Sequence, residues 1–186
     1  MAGRRGACWL AIGLLSIGLV AHADERTAFL QQQYQTQCLE FAAAPDKVRE
    51  RLQTSQLTEV PAVQLRQLLL GSDGSRGWLL PYRGRQEYIL VLAEGNSRCA
   101  ILARHVDVEQ TLNLFERLIN RPPDSYRSRP LALTEADLRY AGDAEIRRGA
   151  WQGAEHTLVH ELLISTRKNA PIQAILALTL TTKIEQ

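Results

Sequence analysis

The sequence predicts an α+β fold. N-terminal helices are expected to pack on an antiparallel sheet of about five or six strands, with one further helix over about 107–119 following a three-stranded meander. Three observations carry this reading. From Gly77 to Asn120, three apolar runs (Gly77–Tyr82, Glu87–Ala93 and Cys99–Val106) are separated by short polar turns and followed by an amphipathic pattern. Upstream, about 24–70, apolar residues recur at three- and four-residue steps, the helical period. Finally, the cysteine on the third run, Cys99, has one plausible partner in that helical region, Cys38.

Residues 1–23 read as a secretory signal peptide rather than as part of the domain. Arg4 and Arg5 form a basic start, Ala7 to Val20 an apolar centre, and Ala21-His22-Ala23 a small-x-small cleavage site before Asp24. The apolar run falls short of the roughly 18 to 20 residues of a spanning helix. The paired arginines allow a twin-arginine route, but Gly6-Ala7-Cys8-Trp9 is a poor continuation, and the general secretory route is the expectation. Cys8 precedes the apolar centre, so it is not a lipid-attachment site, and no membrane anchor is expected after cleavage. The expected location is the periplasm, with residues 24–186 as a single domain.

Cleavage removes two arginines and no acid, leaving 20 basic and 20 acidic residues. A formally neutral domain does not read as a nucleic-acid binder, which needs a basic footprint. The bases are nearly all arginine, the lysines being Lys47, Lys168 and Lys183. Two cysteines remain, and in an oxidising compartment an even pair, Cys38 and Cys99, reads as a disulfide. Closing a 61-residue span corresponds to roughly 4 kcal/mol in the chain-entropy treatment.

Asp24 to about Ala43 reads as a helix. Its acidic start suits the helix dipole, and Leu30, Tyr34, Cys38 and Phe41 form one apolar stripe. Pro45-Asp46 starts a second short helix through Val48 and Leu52. A third is expected over Thr58 to Leu70, capped by Thr58 and ended by Gly71. The glycine-rich stretch Gly71–Gly77 leads into a strand, not a helix N-terminus, so it reads as a connection rather than a phosphate loop.

Turns at Arg83–Gln86 and Glu94–Ser97 divide the meander, whose second and third strands are apolar on both faces and therefore central. Asp107 caps the following helix, with Val108, Leu112, Phe115, Leu118 and Ile119 on its stripe. The Pro-rich stretch from Asn120 through Pro130 reads as an exposed loop. Leu131 to Thr134 is a candidate strand, Glu135 to Tyr140 a strand or helical turn, and Gly142 to Gly153 irregular chain or a bent strand. Glu155–Thr166 and Ile172–Ile184, joined at Arg167–Pro171, form a hairpin.

Candidate chemistry is sparse. His156, His160 and Glu161 suggest a metal site, but the second histidine of a helical zinc motif is missing. On a strand, residues four apart stand roughly 13 Å from each other. A pair of half-exposed sheet histidines is the expectation, and neither metal nor cofactor is assigned. His105 reads as a strand-end polar residue, and Ser125 and Ser165 lack a nucleophile-elbow setting. No catalytic residue is assigned. Trp78, Tyr82, Tyr126 and Trp151 are the candidate binding residues, since aromatic side chains are favoured at interaction hot spots.

The chain resembles a group of small exported proteins of Gram-negative bacteria without assigned activity. The resemblance lies in Phe29 to Cys38, Gly77-Trp78, Arg98-Cys99-Ala100-Ile101 followed by a helix, and Pro171-Ile172-Gln173-Ala174. It implies an envelope location and an α+β fold, and no catalytic residue. Some such proteins are lipid-anchored; this chain departs from them in lacking a cysteine at the cleavage site. The functional expectation is a periplasmic or secreted, non-catalytic binding module with another envelope protein as partner, an immunity-type inhibitor of an envelope-acting toxin being one form. A small cell-envelope hydrolase using His160 and Glu161 or His105, and a structural envelope component, are the alternatives.

Overall fold

The computed structural model describes residues 25–68, 74–93, 95, 97–135 and 143–182. The signal peptide expected over 1–23, the Gly71 cap with the first three residues of the glycine-rich connection, and most of the Glu135–Tyr140 stretch lie outside the described residues.

Among the described residues seven antiparallel strands form one sheet: β1 (Ser75–Tyr82), β2 (Arg85–Ala93), β3 (Arg98–Ala103), β4 (Arg127–Pro130), β5 (Ala144–Gln152), β6 (His156–Ser165) and β7 (Ala174–Thr182). Their spatial order is β1-β2-β3-β7-β6-β5-β4. Two meanders thus meet at the β3–β7 pair, where Cys99 stands opposite Leu178 and Ile101 opposite Leu176. Alternation along each strand then assigns every side chain to one of two faces.

One face is sealed by helices. A continuous helical rod runs from α1 (Glu25–Gln33) through a π-helical stretch (Tyr34–Leu39) into α2 (Glu40–Ala43). It buries Leu30, Tyr34, Cys38 and Phe41 against Leu90, Ile101, Leu176 and Leu178. The stripe expected from the sequence is therefore the stripe used. After Ala44, α3 (Pro45–Thr54) turns back, with proline in its first turn where no amide hydrogen is needed. It buries Val48 and Leu52 in the same core. The crossover helix α5 (Val108–Ile119) covers the far end of this face, its start fixed by the Asp107 carboxylate accepting from the Gln110 amide at 2.8 Å.

On the opposite face, one end is covered by a further helix. Helix α4 (Ala62–Leu68) seats Leu65 with Val60 over Ile89, Val91, Ala100 and Leu102. The disulfide is formed: Cys38 in the π-helical stretch and Cys99 on β3 have Cα atoms 5.3 Å apart, within the usual range for a bridge. The helical third is covalently tied to an interior strand.

Four expectations are corrected. The sheet has seven strands rather than five or six, because Arg127–Pro130, expected as loop, pairs with β5. Arg-Ser-Arg-Pro has no apolar alternation to announce a strand; all four residues are exposed, and the strand exists by backbone pairing alone. Leu131–Thr134 is not a strand; of the two readings of 142–153, irregular chain or a bent strand, the strand is the one formed, over Ala144–Gln152. Finally, Thr58 caps no helix. Residues 58–60 run extended along the outer edge of β1, with the Val60 amide donating to the Gly77 carbonyl and the Leu79 amide to the Thr58 carbonyl, each at 2.8 Å.

Gly149 shows how tightly α5 is seated. A Cβ there would stand 2.7 Å from Ile119 Cγ2 and 2.9 Å from two further Ile119 carbons. Gly149→Ala is expected to lower stability by roughly 1–3 kcal/mol through overpacking, read as a lower denaturation midpoint with unchanged slope. A midpoint equal to that of the parent would show that α5 shifts freely.

Candidate functional site

The four aromatic candidates occupy different environments. Trp78 is buried, with the Arg76 guanidinium 5.2 Å from its ring centroid and Arg76 itself held by Glu59 at 2.8 Å. Tyr82 packs on Phe29 and edge-on to Tyr88. Trp151 is buried, its indole N–H donating to the Ile119 carbonyl at 3.1 Å. The two tryptophans sit on β1 and β5, five strand spacings or roughly 24 Å apart, so they share no binding surface. Tyr126 lies half-buried just before β4, over Gly153, where a Cβ would come within 2.9 Å of its ring.

The histidines do not converge either. His160 is fully buried, correcting the expectation of a half-exposed pair. Its Nδ1 lies 2.7 Å from the Tyr34 hydroxyl, which also approaches the Ala177 carbonyl at 3.4 Å, and its ring lies tilted against Trp151 with centroids 4.3 Å apart. Nε2 has no hydrogen-bond partner among the described residues. Burial pushes the imidazole down from 6.5 to about 4 and the Tyr34 phenol well above its usual range. At neutral pH both are uncharged members of the core. His156 stands at the strand's opening end, and His105 is exposed beyond β3. Among the described residues no group of three His, Cys, Asp or Glu could hold a metal ion.

Glu161 points away from His160, as adjacent strand residues must. Its carboxylate receives Arg98 at 2.9 Å from β3 and Arg148 at 3.4 Å from β5. The small Ala177 on β7, facing Glu161, lets Arg98 reach over the intervening strand. This arginine–glutamate–arginine cluster lies on the face opposite the N-terminal helices. Below it a groove of about 270 Å³ is lined by Gln67, Leu68, Leu163, Ser165, Ile172 and Ile175.

The same face continues onto β4. Arg127 pairs with Gln152 and Arg129 with Ala150, so both arginines share the face of Arg148 and Glu161, while Ser128, opposite Trp151, turns to the other. Both are exposed, and neither has an ion-pair partner among the described residues. The backbone of β4 has no partner other than β5 among the described residues. The two ends of the sheet therefore differ: residues 58–60 line the β1 edge, and among the described residues nothing pairs with the outer edge of β4. Sequence periodicity missed this site, since its signal is a basic, proline-ended tetrapeptide rather than an apolar pattern.

Comparison with protein-family models, with curated proteins and with solved structures finds no match for this chain. Among the described residues no helix is long and apolar enough to cross a membrane.

Proposed function

We propose that this chain is an exported, non-catalytic binding module whose partner is another protein of the cell envelope, with inhibition of an envelope-acting toxin as one form of that role. The observation that carries this reading is that, among the described residues, the β4 edge has no outer partner and its Arg127 and Arg129 no ion-pair partner. Edge strands present a row of unpaired backbone groups, and proteins ordinarily cover or blunt them. Here one edge is covered by the chain's own residues 58–60 and the other is not, among the described residues. The polar groups best suited to chemistry lend no support to the hydrolase alternative, since His160 has no exposure and Glu161 lies on the other face. The location rests on the leader-like residues 1–23 and on the resemblance to exported proteins.

The test begins with the chain recovered from the envelope fraction of expressing cells. Its intact mass is expected to start at Asp24; a chain retaining Met1 would remove the export part of the reading. Immobilised, this form is expected to retain one envelope protein in near-equal amount. Recovery of nothing above a blank surface would overturn the assignment.

A further inference from the structure

We infer that the β4 edge accepts an extended acidic segment as an eighth strand, with carboxylates at alternate positions paired to Arg127 and Arg129. The inference rests on the binding-module reading and names the chemistry of its partner. Strand addition gains affinity from main-chain hydrogen bonds and specificity from alternate side chains. Both requirements have a counterpart in the structure. The backbone edge of Arg127–Pro130 has no outer partner among the described residues, and the strand is exposed throughout. Its alternate side chains, Arg127 and Arg129, lie on one face with no acid in ion-pair reach among the described residues. Among the described residues the carboxylate in the middle of that face, Glu161, is already shared between Arg98 and Arg148.

Charge decides against a second copy as the occupant. Pairing β4 with β4 of another molecule, in either direction, would set arginines of one copy opposite or diagonal to arginines of the other. Like charges facing each other across strands are destabilising, whereas opposite charges stabilise. A short, arginine-bearing, proline-ended edge is thus protected from self-pairing, and the same charges select an acidic complement. Pro130 offers no amide hydrogen, so pairing runs along Arg127–Arg129 and stops there.

The test uses a short, acetylated and amidated peptide alternating glutamate with valine, added to the full chain. Backbone-amide NMR is expected to show shifts and slowed exchange at Arg127–Arg129. Affinity should fall about tenfold in the Arg127→Glu/Arg129→Glu variant, two attractive cross-strand pairs becoming repulsive. Both positions are exposed, so this variant keeps the parent's melting temperature. Methylating alternate peptide nitrogens should abolish binding, and replacing glutamate by lysine should do the same. Binding that survives N-methylation would mean charge attraction without strand pairing and would overturn the inference. So would a silent β4, or a dimer in sedimentation that the charge reversal dissolves. Capture of an envelope protein equally by parent and charge-reversed chains would leave the binding module standing and remove this edge from it. Peptide pairing with an empty capture would do the reverse.

Discussion

Reduction of the Cys38–Cys99 bridge is expected to cost the fold roughly 4 kcal/mol, the value for releasing a closed span of 61 residues in the denatured chain. For a domain of this size that corresponds to a melting temperature lower by on the order of 10 °C. The effect should be large because of where the bridge falls. It ties the helical rod to β3, third of the seven strands in the sheet, so in the denatured state it restrains the two regions whose association creates most of the core. Cys38 and Cys99 are both buried, so reductant should act slowly on the native protein and quickly once it opens. Calorimetry of the oxidised chain, the reduced and alkylated chain, and the Cys38→Ala/Cys99→Ala variant would measure the effect. Equal melting temperatures for the oxidised and doubly substituted forms would show that packing of Leu30, Tyr34 and Phe41 alone holds the rod. A two-dalton mass gain on reduction of the native protein identifies the bridge independently.

The frame of this fold was legible because burial leaves a periodic trace. Leu30, Tyr34, Cys38 and Phe41 recur at helical spacing, and each is buried on the sheet. Tyr88 to Leu92 is apolar on both faces because α4 covers one side of it and the N-terminal helices the other. The pairing of Cys38 with Cys99 followed from there being no other candidates, which is arithmetic rather than pattern.

What escaped had no such trace. The Arg127–Pro130 strand carries no apolar alternation, so only its ladder with Gln152–Gly149 defines it. The stretch 144–152 mixes arginine, glycine and tryptophan because its two faces make different demands. Gly149 and Trp151 lie under α5, while Arg148 on the other face meets Glu161. Thr58 looked like a cap because caps and edge-covering segments draw on the same polar residues. The site was harder still. An open edge is a property of topology, and it appears only once the strand order is known. Aromatic content pointed instead to Trp78 and Trp151, which the core uses.

Acid is expected to weaken the fold between pH 6.5 and about 4 through His160 alone by about 3 kcal/mol. In the native state burial holds the imidazole neutral down to about pH 4, whereas in the unfolded chain it protonates near 6.5. Across that interval the unfolded state binds the extra proton, so stability is fully present above 6.5 and declines as pH falls toward 4. The geometry explains why the proton is refused. Nδ1 is engaged by the Tyr34 hydroxyl, Nε2 has no acceptor among the described residues, and the ring lies against Trp151. A new charge would sit in the core without a carboxylate among the described residues to meet it, Glu161 being on the far face with its arginines. Lower still, Glu40 and Glu59 add a loss of the same sign, since hydrogen bonds from Arg51 and Arg76 hold their carboxyls below the ordinary range. The two partners separate the contributions. Tyr34→Phe or His160→Leu alone leaves a buried polar group short of its partner and should cost about 1–3 kcal/mol at neutral pH. The Tyr34→Phe/His160→Leu double variant removes both polar groups and should recover much of that loss. Its stability, measured by denaturant titration, should be nearly flat from pH 6.5 to 5, where the parent's declines. A double variant that keeps the parent's slope would place the acid sensitivity at some other group and leave His160 as packing only.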